Sequence, residues 1–507
     1  MANIYITTPI YYTNDVPHIG HAYTTVAADV LARFYRFRGD TVFFLTGSDE
    51  HGQKIARKAE EMGKTPKEYV DSLVVVFKDL WEKLGISNDH FIRTTDEIHY
   101  ATCQAFFTKV LAKGDIYKSR YAGLYCTGCE SFKDESELVE GKCPDHNKAP
   151  EWMEEEDYFF KWSNYQQALE QLFQDKPLFV LPKSRFNETV SFLGQGIKDI
   201  PISRTLISWG IPVPDDPDHV LYVWFDALIN YLTGIGWNQP ELSQRYQTFW
   251  EEGKVIHLMA KDILSKHALL WPAMLLSAGV PLPTTCFSHG YFTKDGMKIS
   301  KSIGNVIDPF ALVESYGVDA FRYFFFREFT FGEDGDYREE RFESRYNSDL
   351  ANDLGNLVSR VTVMAQKFLD GRVEQVESQK FAPVIEALWK TWDEDLQNFR
   401  FKECLEHIWK FITELNVCVD VEKPWALAKE NKRDHLNEVL YTLIEGIRHI
   451  ALMISPFMPD ASKTIYSALG IETFPQSISM EERVFGGLQQ PFTIKVQGSL
   501  FPKKEKT

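Results

Sequence analysis

The sequence predicts an α/β protein in which a parallel sheet is split by an insertion and followed by an all-α helical bundle domain. Three observations carry that reading. Strand-like and helix-like periods alternate over residues 1–115, which calls for right-handed crossovers onto a parallel sheet. A cysteine-bearing stretch of different character follows, and buried-strand composition resumes at Val220. After residue 306 the apolar stripes have helical spacing.

Asn3-Ile4-Tyr5-Ile6-Thr7 alternates like a half-buried strand, and Val26, Val30, Leu31 and Phe34 recur at helical spacing until Gly39. Between them His18-Ile19-Gly20-His21 lies on a strand-to-helix turn. A helix N-terminus offers unpaired backbone N–H groups and a positive dipole end, which suits an anion such as a triphosphate. Gly20 lets the backbone come close, and His18 and His21 fall on one helical face as donors to phosphate oxygens. Thr41 to Thr46 reads as a buried strand, followed by the turn Gly47-Ser48-Asp49-Glu50-His51-Gly52 and a helix rich in Lys, Ala and Glu. Ligands bind such sheets at the carboxyl ends of the strands, where both turns lie. Asp49 can pair there with an ammonium group, or simply cap a helix.

Cys126 and Cys129 are spaced C-x2-C, and after thirteen intervening residues Cys143 and His146 are spaced C-x2-H. Four such ligands match tetrahedral zinc, and a lobe rich in glycine and charge needs such a staple to fold. With every position filled the ion would be structural; the alternative is three small core cysteines and a surface histidine. The insertion runs over 116–224. Val220-Leu-Tyr-Val-Trp224 and Val255-Ile-His-Leu-Met259 read as further sheet strands, the second followed by Ala260-Lys261-Asp262. Trp224 is a core aromatic unless its place at a strand end makes it a pocket wall, and His289 is equally readable as a satisfied core histidine.

The stretch Gly296 to Gly304 places Lys298 and Lys301 in a glycine-framed loop, of a kind that can close ammonium groups over a departing pyrophosphate. Further on, Leu405, Ile408, Ile412 and Leu415 form one stripe and Leu436, Leu440, Leu443, Ile447 and Ile450 another, as in an antiparallel bundle. Asn356 and Arg360, four apart, and Trp425 after Pro424 are separately a solvated pair and a packing aromatic. As a trio they suit RNA, whose unstacked bases are read by stacking and by hydrogen bonds to base edges.

A chain of 507 residues exceeds one ordinary core, and 44% hydrophobic with 25% charged residues is the balance of a soluble globular protein. No signal or transit pattern is present, and the most apolar run, 268–280, contains Pro272 and is too short to span a bilayer. No membrane association and a cytoplasmic location are therefore expected. Seven scattered cysteines, an odd number, argue against a disulfide framework. A net charge of −17 argues against a generic nucleic-acid coat protein, though a local basic face suffices for RNA.

The histidine turn and the run Lys298-Ile299-Ser300-Lys301-Ser302, in this order and separation, resemble the HIGH and KMSKS signatures of class I aminoacyl-tRNA synthetases. With the cysteine–histidine knuckles and the Asn356, Arg360 and Trp425 trio, the chain is similar nearly end to end to the methionyl-tRNA synthetase family, of the single-knuckle type. The resemblance implies a Rossmann catalytic domain in 1–115 and 225–305, and a connective peptide at 116–224 with one structural Zn2+. It further implies a stem-contact segment at 306–345 and a helical anticodon-binding domain at 346–507. The implied reaction activates L-methionine with ATP and Mg2+ to methionyl-adenylate, then transfers it to the 3′ end of tRNA(Met), initiator and elongator. On this likeness His18, Gly20 and His21 would contact ATP phosphates, Lys298 and Lys301 the triphosphate as pyrophosphate leaves, and Asp262 the ribose. Ile10, Tyr12, Asp49, Trp224, Ala227, Tyr231 and His289 would form the methionine pocket. Asp49 would take the ammonium group, Trp224 and Tyr12 would pack on the side chain, and Tyr231 with His289 would bond near sulfur. Asn356, Arg360 and Trp425 would read the CAU anticodon. The chain stops soon after the bundle, so a monomer is expected.

Departures are small. Ile299 replaces the signature's methionine, which conserves volume, and Ala260 stands where glycine is usual before Lys261. Related enzymes for isoleucine, valine or leucine carry a large editing domain because one methylene discriminates by only about 1–3 kcal/mol, and an insertion of about 110 residues leaves little room for one. Cysteinyl enzymes need an open zinc position. A non-enzymatic RNA-binding relative would lose the histidine or lysine signature, and a small-molecule nucleotidyltransferase would leave the bundle unexplained.

Overall fold

The computed structural model describes residues 1–504 except 127–130, 145–146, 206, 300–303, 379 and 488–490, and leaves aside the side chains of 121, 131, 132 and 155. Cys129, His146 and Lys301 lie outside the described residues.

Six strands form the central sheet: β1 (Asn3–Tyr12), β2 (Thr41–Asp49), β3 (His90–Arg93), β4 (Val180–Leu181), β5 (Lys254–Ala260) and β6 (Thr285–His289). They pair in the order β3-β2-β1-β5-β6-β4, every pair parallel. β1 is buried along most of its length and not on alternate faces, as a central strand covered by helices on both sides must be. Pro9 has no N–H to give the ladder, and the register of β1 against β2 shifts between Thr7 and Ile10. Past the shift Ile10 stands opposite Gly47 and Tyr12 opposite Asp49. Helix α1 (Ile19–Phe37) packs into the core with fifteen of its nineteen residues buried.

The stretch 116–224 contributes β4 to this sheet. Its other strands make two antiparallel sheets, one of Ser131–Lys133, Ile116–Cys126, Glu151–Phe160 and Ile200–Pro201, the other of Pro212–Val213, Asp216–Leu221 and Ser203–Arg204. The strand expected at Val220–Trp224 is therefore corrected. Asp216–Leu221 belongs to the small antiparallel sheet, and a helix begins at Val223 with Trp224 in its first turn. A short apolar run fits strand or helix alike. Asp226 in the first turn and Gly236 in the left-handed C-terminal position decide for the helix.

Between β3 and this point runs α2 (Glu97–Ala112), and the helix at 223 is α3 (Val223–Ile235). After residue 306 the chain is mainly helical, with α4 (Asn356–Leu369), α5 (Phe401–Glu422), α6 (Pro424–Lys429) and α7 (Arg433–Ile454). Both predicted stripes, Leu405 to Leu415 and Leu436 to Ile450, are buried where α5 packs on α7. Glu339–Arg345, the π-wound Tyr346–Gly355 and α4 run on as one helix, so position 346 lies inside a helix. Asp29 of α1 pairs with Arg322 at 2.6 Å in the interior, and Arg322 also donates to the carbonyls of Pro456 and Phe457 at 2.8 Å.

Candidate active site

The carboxyl ends of β1, β2, β5 and β6 converge on the turn into α1. His18 is the N-cap of that helix: the Gly20 N–H donates to His18 Nδ1 at 3.1 Å, and the His18 N–H donates to His21 Nδ1 at 3.2 Å. An Nδ1 that accepts leaves the proton of a neutral imidazole on Nε2. The rings stack at 3.8 Å. Burial, reinforced by the neighbouring His18, holds His21 well below the ordinary histidine range, so it stays a neutral donor. A Cβ at Gly20 would lie 3.0 Å from His18 Cε1, so glycine lets the ring fold over the helix start. Two helix N–H groups expected to be available for an anion are thus engaged by the imidazoles.

Lys298 is exposed on a hairpin, Phe292–Lys294 against Met297–Lys298. Its two central residues, Asp295 (φ 53°) and Gly296 (φ 74°), are left-handed, the geometry of a type I′ turn. The Gly296 N–H and the Thr293 hydroxyl donate to Asp336 Oδ1 at 2.7 and 2.8 Å, and Arg338 donates to Oδ2 at 2.9 Å. These bonds, that from Gly296 first, hold the Asp336 carboxyl down to about 2. The base of the lysine stretch is thereby fixed. Lys301 falls outside the described residues.

Asp262 is exposed in the turn Lys261–Ile263, directly after β5. Tyr12 and Asp49 are register partners at the ends of β1 and β2. Ile10 and Trp224 pack against the cluster that holds Tyr231, whereas Tyr12 packs with Trp209 against Ile55, Ala59, Tyr69 and Val70. Ala227 is buried one helical step from Trp224.

Tyr231 bonds to His267 Nε2 at 2.7 Å, and His267 Nδ1 donates to the Ile263 carbonyl at 2.9 Å. His289, expected beside Tyr231, is engaged by Thr24 Oγ1 at 2.6 Å and by the Gly290 carbonyl at 2.8 Å. Burial lowers both His267 and His289 to about 4, against the opposing carbonyl bonds. The sequence reading missed His267. Its signal was the position five residues after Asp262, on a turn of π-helix that faces α3. His257, on β5, was also missed; its ring lies 4.3 Å from that of Tyr231 and its Nδ1 2.7 Å from Thr7 Oγ1.

A further buried set joins α2, α3 and the Asp49 turn. His51 Nδ1 donates to Asp226 Oδ2 and His99 Nε2 to Asp226 Oδ1, both at 2.7 Å. Cys103 Sγ lies 3.3 Å from His99 Nε2, and the three ligand atoms of His99, Cys103 and Asp226 fall within 4.8 Å of one another. Two ligands on tetrahedral zinc at bonds of about 2.0–2.1 Å stand about 3.3 Å apart. A separation of 2.7 Å between His99 and Asp226 is that of a hydrogen bond. Burial pushes the Cys103 thiol well up, which also disfavours the thiolate a metal needs. This set is a hydrogen-bonded clamp.

In the insertion, buried Cys126 ends the strand Ile116–Cys126 opposite Ser131, and buried Cys143 starts a tight turn in which its carbonyl accepts from Asn147 at 2.8 Å and its N–H donates to Lys148 at 2.9 Å. Cys126 and Cys143 each bring a buried sulfur into this lobe; Cys129 and His146, the other two expected ligands, are outside the described residues. In the helical half, Asn356 is exposed, Trp425 is 44% exposed, and Arg360 donates to Asp420 Oδ1 at 2.7 Å. Helix α4, which carries Asn356 and Arg360, packs against both α5 and α6, the helix of Trp425.

A family model for tRNA synthetases class I (M) matches residues 4–149 and 137–362, and one for the anticodon-binding domain of tRNA ligase matches 380–492. The methionine–tRNA ligase of Caldanaerobacter subterraneus subsp. tengcongensis is 47% identical over 505 residues, covering 98% of this chain and 78% of its own. That of Thermotoga maritima is 45% identical over 511 residues, covering 99% and 80%. The structure of Mycobacterium tuberculosis methionyl-tRNA synthetase in complex with methionyl-adenylate superposes with a TM-score of 0.91 at 39% identity, covering 99% of this chain and all 100% of that one. The apo form of the same enzyme gives 0.85 at 36% identity, covering 100% and 99%. Because ligases of one specificity match its whole length, catalytic half and helical half together, this chain belongs to the methionine–tRNA ligases of the class I aminoacyl-tRNA synthetases.

Proposed function

We propose how the residues of this chain divide the methionine–tRNA ligase reaction. The carboxylate of methionine attacks the α-phosphorus of ATP, giving methionyl-adenylate and pyrophosphate, and a terminal ribose hydroxyl of the tRNA then takes the acyl group. No side-chain nucleophile is needed, so catalysis rests on positioning and on charge stabilisation. Mg2+ accompanies ATP in this family and shares the phosphate charge. His18 and His21 offer their Nε2–H donors to the phosphates, Lys298 and Lys301 neutralise the departing pyrophosphate, and Asp262 accepts from the ribose.

For the amino acid, Asp49 takes the ammonium group while Ile10, Trp224 and Ala227 wall the side chain. The sulfur end goes to Tyr231 with His267, which the 2.7 Å bond between them supports in place of His289. Tyr12 borders Asp49 from the neighbouring strand. Cys126, Cys129, Cys143 and His146 hold one structural zinc ion that staples the insertion. Asn356, Arg360 and Trp425 read the anticodon of tRNA(Met), both initiator and elongator. The domain limits expected from the sequence, a monomeric state and a cytoplasmic location complete the reading; among the described residues no helix is long and apolar enough to cross a membrane.

The observation that carries this reading is the convergence of the Tyr12–Asp49 pair, the His18–His21 cap and Asp262 on the carboxyl edge of one parallel sheet. Single-turnover adenylate formation by Lys301→Ala tests it. The first step should slow by roughly two to three orders of magnitude, as for loss of one charge-stabilising donor, with methionine affinity retained. An unchanged rate would overturn the assignment.

A further inference from the structure

We infer that Asp226 is a positioning residue for the amino-acid site, a buried clamp that fixes the ammonium-binding turn against the apolar wall of α3. The inference rests on the assignment of Asp49 and Trp224 to that site. Asp226 lies in the first turn of α3 with Trp224 two residues before it and Ala227 directly after it, and it is 0% exposed. Its Oδ2 accepts from Nδ1 of His51, two residues beyond Asp49, and its Oδ1 accepts from Nε2 of His99 on α2, both at 2.7 Å. One carboxylate thus spans three elements whose members are 127 and 175 residues away in sequence.

The arms are themselves held. The Tyr100 hydroxyl lies 3.0 Å from His51 Nε2, and Thr233 Oγ1 lies 2.9 Å from His99 Nδ1. Both imidazoles are therefore bonded at both nitrogens, so each has one orientation. Trp209 packs on the His51 ring at 5.4 Å and donates its Nε1–H to the Glu50 carbonyl at 2.6 Å, which steadies the far side of the turn. The set is buried, His51, His99 and Asp226 being at most 2% exposed at their side chains. A rigid carboxylate between the two walls sets the distance at which an ammonium group on Asp49 meets a side chain on Trp224.

Such a clamp acts through geometry. Asparagine at 226 keeps the shape and can satisfy both imidazoles, accepting from one and donating to the other after a tautomer change that Thr233 or Tyr100 can follow. Alanine cannot.

The test is methionine-dependent ATP–pyrophosphate exchange by Asp226→Ala and Asp226→Asn, with thermal unfolding measured alongside. The expected result is a methionine KM raised at least about tenfold in Asp226→Ala, an ATP KM within about threefold of the parent, and most of the methionine affinity restored in Asp226→Asn. Should Asp226→Ala fail to fold, His51→Ala, which removes only the arm to the Asp49 turn, carries the same expectation. Parallel loss of methionine and ATP affinity, no loss of either, or equal damage from Asn and Ala would overturn the inference. Asp49→Ala separates the two readings: an unchanged methionine KM there would remove the pocket assignment, whereas a raised one beside an unaffected Asp226→Ala would remove only the clamp.

Discussion

Tyr231 and His267 share a 2.7 Å hydrogen bond in a region closed to solvent, with exposures of 1% and 3%. Because His267 gives its Nδ1 proton to the Ile263 carbonyl, its Nε2 accepts and Tyr231 donates. Tyr231→Phe leaves that nitrogen without its donor in a dry site. The fold should lose about 1–3 kcal/mol, the cost of an orphaned buried polar atom, and the methionine KM in pyrophosphate exchange should rise with the loss of the hydroxyl assigned to the sulfur end. The KM for ATP should stay put; a change confined to ATP would place the pair elsewhere.

The same histidine predicts an acid limb in stability. His267 and His289 titrate near 4 in the fold and near 6.5 when unfolded, so the unfolded chain binds protons first as pH falls. Their contribution is complete above 6.5 and is lost progressively toward 4. The denaturant midpoint should be lower at pH 5 than at pH 7, and the drop should shrink in His267→Gln. A midpoint equal at both pH values would contradict the burial of these rings as neutral groups.

Asp29 and Arg322 join α1 to the helical half through an interior ion pair of 2.6 Å. Burial opposes the charge on Asp29, yet Arg322 and then Arg33 overcome it and lower the carboxyl to about 2. Asp29→Asn leaves the buried Arg322 without its carboxylate and should cost about 3–5 kcal/mol in equilibrium unfolding, whereas Arg322→Met should cost less, because Arg33 still pairs with Asp29 at 2.6 Å. The contribution of Asp29 is present above its ordinary 3.8 and fades as pH falls toward 2. A loss below about 1 kcal/mol would show that the carbonyls of Pro456 and Phe457 hold Arg322 unaided.

Activation and tRNA selection are separable on this reading. Trp425→Ala and Asn356→Ala, both at exposed positions, should leave pyrophosphate exchange intact while lowering kcat/KM for tRNA charging at least about tenfold, the scale of one lost base stack or base-edge contact. Exchange falling in step with charging would point to a folding defect.

The fold class and the strand-to-helix turn at His18 were legible because each rests on local pattern. His18 to His21 is a strand-to-helix turn read from four residues, and the buried stripes of α5 and α7 have helical spacing. What was not legible depends on residues far apart in sequence. Nothing near His51 or His99 names Asp226, and nothing near Tyr231 names His267 thirty-six residues on. The apolar run ending at Trp224 misled because a short buried strand and a buried helix start have the same composition. Asp295-Gly296 could have revealed the hairpin that carries Lys298, since Asp-Gly between strand residues is a type I′ signal.

The most direct test of the central claim is ATP–pyrophosphate exchange without tRNA, run with methionine beside isoleucine, valine, leucine and cysteine. Strong exchange with methionine alone is the predicted result, joining the phosphate-binding turn and the Asp49–Trp224–Tyr231 pocket in one active site. Preference for another of these amino acids would contradict the pocket, and no exchange with any of them would contradict the activation chemistry itself.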